Sequence, residues 1–262
     1  DAFMFYALAT NRVRSERLDF RHRMADIETL NRQAMEGRWD VTAISFHAFP
    51  YIADHYALLP CGGSVGDGYG PIVVSRGALL PDQLRGKKIA VPGKLTTAYL
   101  VLKILEPEFE AIVMPFDQIL SAVKKDHVDA GLLIHEGQLT FGSEGLHAVL
   151  DLGRWWREQF GLPLPLGGNA VRKEFSESLR QEIAAMLRAS IQYALNHRQD
   201  AMAYALEFAR GMDTSLADRF VGMYVNHYTL DYGTQGRQAI EKLLQLGVEK
   251  GIIAAPALAE IF

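Results

Sequence analysis

Between Val41 and Ile134 the hydrophobic period keeps changing, and that alternation constrains the fold more than any other feature of the chain. WDVTAISF reads as a buried strand, and PIVVSR and KKIAVPG are two more short β-branched runs. TTAYLVLKIL then follows helical spacing, FEAIVMP strand spacing, FDQILSAVKKD helical spacing and HVDAGLLIH strand spacing again. Strands separated by helices of roughly ten residues predict βαβ units and parallel sheets, hence an α/β fold. A chain of 262 residues has room for one large domain or two of modest size.

The flanks extend this pattern. Asp1 reads as the N-cap of a helix over AFMFYAL, RLDFRHRM alternates as a strand, and ADIETLNRQAMEG is a capped helix ending at Gly37. From Ser176 to Lys250 nearly everything has helical character except YVNHYTLDYG, which follows neither period. GPIVVSRGALLPDQLRGKK and GLPLPLGGNAV interrupt regular structure and are candidate crossings between lobes. Two crossings predict a discontinuous lobe of residues 1–76 and 168–262, carrying the C-terminal helices, and a central lobe of residues 77–167. A ligand would then sit in the cleft between lobes, near the C-terminal ends of their strands.

Composition excludes several function classes. The net charge is −4 with both signs scattered, so there is no basic stripe for nucleic acid and no polybasic tail for a membrane. No apolar run reaches the roughly 18 residues that a bilayer span needs. Cys61 is the only cysteine, which rules out an intramolecular disulfide and a thiolate zinc cage and reads best as a small core residue.

DAGLLIHEG carries the sharpest chemical signal. An apolar strand ends on His135 and Glu136, followed at once by Gly137. A zincin would need a second histidine one helical turn on, and HEGQLTFG has none; the other histidines form no ligand-spaced cluster. General acid–base work remains for His135, beside the plainer reading of a polar strand end. VPGKLTTAYL runs from a strand into a helix that opens near Thr96 and Thr97, which offers free N–H groups and hydroxyls to a small carboxylate, or else simple N-capping. CGGSVGDGYGP lacks the Gly-Lys-Ser/Thr ending of a phosphate loop and reads as a turn between strands. Ser45 stands near the end of a buried strand, and the tryptophans of RWWREQFGLPLPLG either line the cleft or pack the lobes together.

Taken in order, DAFMFYAL, DIETLNRQAMEG, VTAISF, GGSVGDGYGPIVVSR, VPGKLTTAYL, DAGLLIHEGQLTF and LGRWWREQFGLPLPLG resemble the 1,4-dihydroxy-6-naphthoate synthases of the futalosine route to menaquinone. The resemblance covers essentially the whole chain, and LLIHEGQLT and WWREQFGLPLPLG are its most specific pieces. It implies a two-lobed type II periplasmic-binding-protein-like α/β fold with two interlobe crossings, in a cytoplasmic enzyme without metal or nucleotide cofactor. The implied reaction cleaves cyclic de-hypoxanthinylfutalosine, a small-molecule carboxylate, to 1,4-dihydroxy-6-naphthoate and dihydroxyacetone. By the same resemblance His135 is the base, and Ala43, Ile44, Ser45, Thr96 and Thr97 contact the ligand. Glu136 either orients His135 or faces solvent. The family pattern places a strand and a Ser-x-Cys-Pro-Asn-Asp-like turn before the first helix. Asp1 matches the last residue of that turn, which borders the cleft, and so joins the substrate-binding positions.

Two rivals share this architecture. One is a transporter's solute-binding protein, which a hydrophobic signal segment upstream of Asp1 would favour. The other is chorismate dehydratase of the same route, whose family carries Ile-Gly-Asp where this chain has Ile134-His135-Glu136.

Overall fold

Apolar β-branched runs pair wherever a neighbouring edge can take up their backbone groups, and here they do so in two separate sheets. The computed structural model describes residues 2–208, 213–254 and 261, so Asp1 lies outside the described residues. The strands, in chain order, are β1 (Val41–Ser45), β2 (Tyr56–Leu58), β3 (Ser64–Gly66), β4 (Ile72–Ser75), β5 (Lys88–Val91), β6 (Glu110–Val113), β7 (Ala130–Leu133), β8 (His147–Asp151) and β9 (Leu164–Arg172). One sheet holds β1, β9 and β2 in that order, with β3 also paired to β9; the other runs β6-β5-β7-β4-β8. The chain therefore passes from the first sheet to the second after β3 and returns with β9, making two crossings.

The expected parallel pairing holds for β5 with β6 and with β7, the strands joined through helices Thr97–Leu105 and Phe116–Lys124. It fails elsewhere. Strand β9 is antiparallel to β1, β2 and β3, and β4 is antiparallel to β7 and β8. Both β4 and β9 enter their sheets from the other sheet, so no helical crossover dictates their direction.

Residues 17–24, expected as a strand, join no ladder among the described residues. Their alternation reflects one-sided burial instead: Leu18 packs against an apolar cluster, and the His22 ring lies 5.7 Å from Phe5 on the first helix. Period two reports which face is buried, and it is silent on whether a partner edge exists.

The helices begin and end on the expected chemistry. Asp26 accepts from the Thr29 N–H at 3.0 Å to cap Ile27–Met35, and Gly37 leaves that helix at φ +66°. YVNHYTLDYG resolves into the end of helix Thr214–Tyr224 and the one-turn helix His227–Leu230, capped by Asn226. Gly131 in β7 is required by a close approach, because a Cβ there would stand 2.6 Å from Ile119 Cγ2. That contact seats helix Phe116–Lys124 directly on the strand leading to His135.

A continuous apolar core runs under both sheets and joins Ile44 and Phe46 to Val73, Ile89 and Leu132. Trp156 is fully buried in it with Phe160 at 4.5 Å, so this tryptophan packs the interior rather than lining a cleft. Cys61 is buried as expected, and burial pushes its thiol up to about 11.

Candidate active site

Strand β7 ends at Leu133, and His135 follows in a turn that the Gln138 N–H closes onto the His135 carbonyl at 2.9 Å. The Phe116 ring packs on the imidazole at 4.0 Å between centroids. Gln138, behind the turn, accepts from the Tyr224 hydroxyl at 2.7 Å, which ties helix Thr214–Tyr224 to this loop.

His135 and Glu136 open onto a cleft of about 510 Å³. Ala43, Ile44 and Ser45 line it from β1, and Thr96 and Thr97 from the start of helix Thr97–Leu105. Every expected position except Asp1 thus faces one cavity.

The two threonines differ in what they have left to offer. Thr96 is the N-cap: its hydroxyl accepts from Tyr99 N–H at 3.2 Å and donates to the Gly93 carbonyl at 2.9 Å. Thr97 Oγ1 accepts from the His47 N–H at 3.2 Å and donates to no acceptor among the described residues. Its hydrogen, with the Thr97 and Ala98 N–H groups that precede the intrahelical ladder, makes a donor cluster suited to an anion. Ser45 is held rather than free. Its Oγ accepts from Asn31 Nδ2 at 3.0 Å, and its N–H donates to Asn31 Oδ1 at 2.9 Å.

Asn31, which holds Ser45 from behind the cleft wall, is a supporting residue that the sequence reading missed. It is fully buried, and the same Nδ2 also reaches the Leu95 carbonyl at 3.4 Å. Glu28, one turn earlier, accepts from Leu95 N–H at 3.1 Å, and a Cβ on Gly93 would collide with its carboxylate at 2.2 Å. Helix Ile27–Met35 therefore braces the end of β1 against the loop that opens the Thr97 helix. A signal was present: Asn31 falls between Ile27 and Ala34 on the apolar face, where a polar residue needs a partner.

Gly62-Gly63-Ser64-Val65-Gly66 has the spelling of a hydrolase nucleophile elbow, yet Ser64 opens β3 and no strand-to-helix turn surrounds it. Among the described residues no three His, Cys, Asp or Glu side chains group as a metal site. No described helix is long and apolar enough to cross a membrane.

His47 is also buried, its Nδ1 lying 3.3 Å from the Thr96 carbonyl, and burial drives its pKa from 6.5 to about 4. The unfolded chain thus takes up this proton at higher pH than the folded one. The stability His47 contributes is complete above pH 6.5 and is lost as pH falls toward 4. Urea midpoints across that range are expected to fall less steeply for His47→Asn than for the unmodified protein; equal slopes would contradict the assignment.

A family profile described as menaquinone biosynthesis matches residues 1–249. The chain is 39% identical over 262 residues to a 1,4-dihydroxy-6-naphthoate synthase of Thermus thermophilus, covering all of this chain (100%) and 95% of the relative. It is also 39% identical to the Streptomyces coelicolor protein of the same name, covering 97% and 92%. A crystal structure of a protein from Archaeoglobus fulgidus superposes with TM-score 0.93 at 47% identity, over 97% of this chain and 94% of that one. The alkanesulfonate-binding protein of Xanthomonas axonopodis, at 14% identity, superposes with TM-score 0.66 over 88% and 82%, and shares the two-lobed binding-protein fold.

Proposed function

The chain belongs to the menaquinone biosynthesis family, and on that premise we propose that it is the enzyme forming 1,4-dihydroxy-6-naphthoate. The substrate in this reading is cyclic de-hypoxanthinylfutalosine, and dihydroxyacetone is the second product. The observation that carries the reading is a histidine at a strand end facing the same cleft as the Thr97 helix start. An anionic ring substituent held at that helix start brings the rest of a ligand across the cavity toward the imidazole.

The roles divide accordingly. His135 is the general base, taking a proton from the substrate as a carbon–carbon bond fragments, so the enzyme is a lyase working without metal or nucleotide. Thr97 donates to the carboxylate, while Ala43, Ile44 and Ser45 form the facing wall. Glu136 either orients His135 or meets solvent, and Asp1 remains a substrate-binding position of the proposal. A cytoplasmic location belongs to the same proposal. So does a division into two lobes, whose expected bounds of 1–76 with 168–262 and 77–167 shift: the pairing of β4 with β7 and β8 favours a first crossing upstream of Ile72, and the pairing of β9 from Leu164 onward favours a return upstream of Leu164.

Calorimetry with 1,4-dihydroxy-6-naphthoate tests the anion site. Thr97→Val is expected to weaken binding by about 1–3 kcal/mol, the scale of hydrogen bonds to a charged group. Thr96→Val is expected to cost about 1 kcal/mol of stability through the lost cap, with a smaller effect on affinity. An unmodified protein that does not bind, or a Thr97→Val variant that binds equally well, would contradict the proposal.

A further inference from the structure

We infer that His47 is a positioning residue for the substrate's anionic group, holding the Thr96–Thr97 helix start in register with β1. The inference rests on the anion site proposed above and names the residue that sets its geometry.

His47 lies two residues beyond the end of β1, in the first sheet, whereas Thr96 and Thr97 follow β5 of the second. Its main-chain N–H donates to Thr97 Oγ1 at 3.2 Å, and its ring Nδ1 stands 3.3 Å from the Thr96 carbonyl. Opposite a carbonyl, Nδ1 must carry the proton, which selects one neutral tautomer. The ring also stacks on Tyr99, with planes 17° apart and centroids 6.2 Å apart.

These contacts have a directional consequence. A hydroxyl that already accepts from one N–H keeps its own hydrogen for another partner, and Thr97 is one of the residues lining the cleft. The main-chain N–H of residue 47 occupies one lone pair of the Thr97 hydroxyl, and the bond from the His47 ring to the Thr96 carbonyl holds that main chain in place, leaving the Thr97 hydrogen for a carboxylate. Asn31 and Glu28 brace Leu95 from helix Ile27–Met35, but among the described residues only His47 hydrogen-bonds the Thr97 hydroxyl.

The test separates positioning from bulk stability. His47→Leu keeps apolar volume and removes the ring donor; His47→Asn can return an N–H to the place of Nδ1. With cyclic de-hypoxanthinylfutalosine, His47→Leu is expected to raise KM about tenfold with kcat within about threefold, and His47→Asn to recover most of the KM loss. In a Thr97→Ala background the His47→Leu penalty on KM is expected to shrink, because the residue it positions is gone. A KM unchanged in His47→Leu, a loss that Asn does not rescue, or fully additive effects with Thr97→Ala would overturn the inference. If His47→Leu fails to fold, His47→Phe, which keeps a ring on Tyr99 and loses Nδ1, and its cycle with Thr97→Ala decide, and additivity there overturns it equally. Calorimetric binding of the naphthoate product keeps the two proposals apart. An unmodified protein that binds product without turnover sinks the proposed reaction, while weaker product binding by His47→Leu still supports the positioning role. An unmodified protein that neither reacts nor binds product overturns both.

Discussion

His135→Asn is expected to bind cyclic de-hypoxanthinylfutalosine nearly as well as the unmodified protein while turning it over about 10²–10⁴ times more slowly, the usual cost of losing a general base. Asparagine keeps polarity and approximate size, so the cavity walls contributed by β1 and the Thr97 helix start stay in place. The turn that presents the side chain is fixed through the backbone, by Gln138 N–H on the residue 135 carbonyl, and tolerates the exchange. Turnover is followed by naphthoate formation and affinity by calorimetry on the same preparation. A variant that reacts at the original rate makes His135 a structural strand end. Parallel losses in binding and turnover would make it a ligand contact without a proton-transfer role.

The second large effect falls on stability. Trp156→Ala is expected to cost about 3–5 kcal/mol in urea unfolding, the range for truncating a large buried aromatic. Trp156 is fully buried, 4.5 Å from Phe160, on helix Leu152–Phe160 just before the chain returns to the first sheet as β9. Asp151 caps that helix with two bonds, to Gly153 N–H at 2.9 Å and Arg154 N–H at 3.0 Å, so its start survives the truncation. Trp156→Phe is expected to cost much less. The indole Nε1 is buried with no hydrogen-bond partner among the described residues, and removing it forfeits none of the bonds seen there. A Trp156→Ala variant within about 1 kcal/mol of the unmodified protein would show that the cavity collapses freely, contrary to a close-packed core.

The sequence made some of this legible and hid the rest for physical reasons. Strands β1, β4, β5, β6 and β7 were readable as short apolar and β-branched runs, and the helices between β5 and β7 by their helical spacing of apolar residues. The same rule misread residues 17–24, whose half-buried alternation finds no edge to pair with. Direction was invisible for β4 and β9, since nothing local says which way a strand entering from another sheet will run. At the site, local chemistry exposed His135 at a strand end and the threonines at a helix start. It could not say that the Thr96 hydroxyl is consumed by capping while the Thr97 hydroxyl donates to no acceptor among the described residues, because the His47 contact that Thr97 accepts spans 50 residues. Asn31 needed less distance to be found, with Ser45 only 14 residues away, and its place on an apolar helical face was the clue.

The most direct measurement is product analysis of the unmodified protein incubated with cyclic de-hypoxanthinylfutalosine in the presence of a metal chelator and without added nucleotide. The account predicts 1,4-dihydroxy-6-naphthoate and dihydroxyacetone in equal amounts, formed catalytically. No naphthoate, or naphthoate only after a metal or nucleotide is restored, would contradict it.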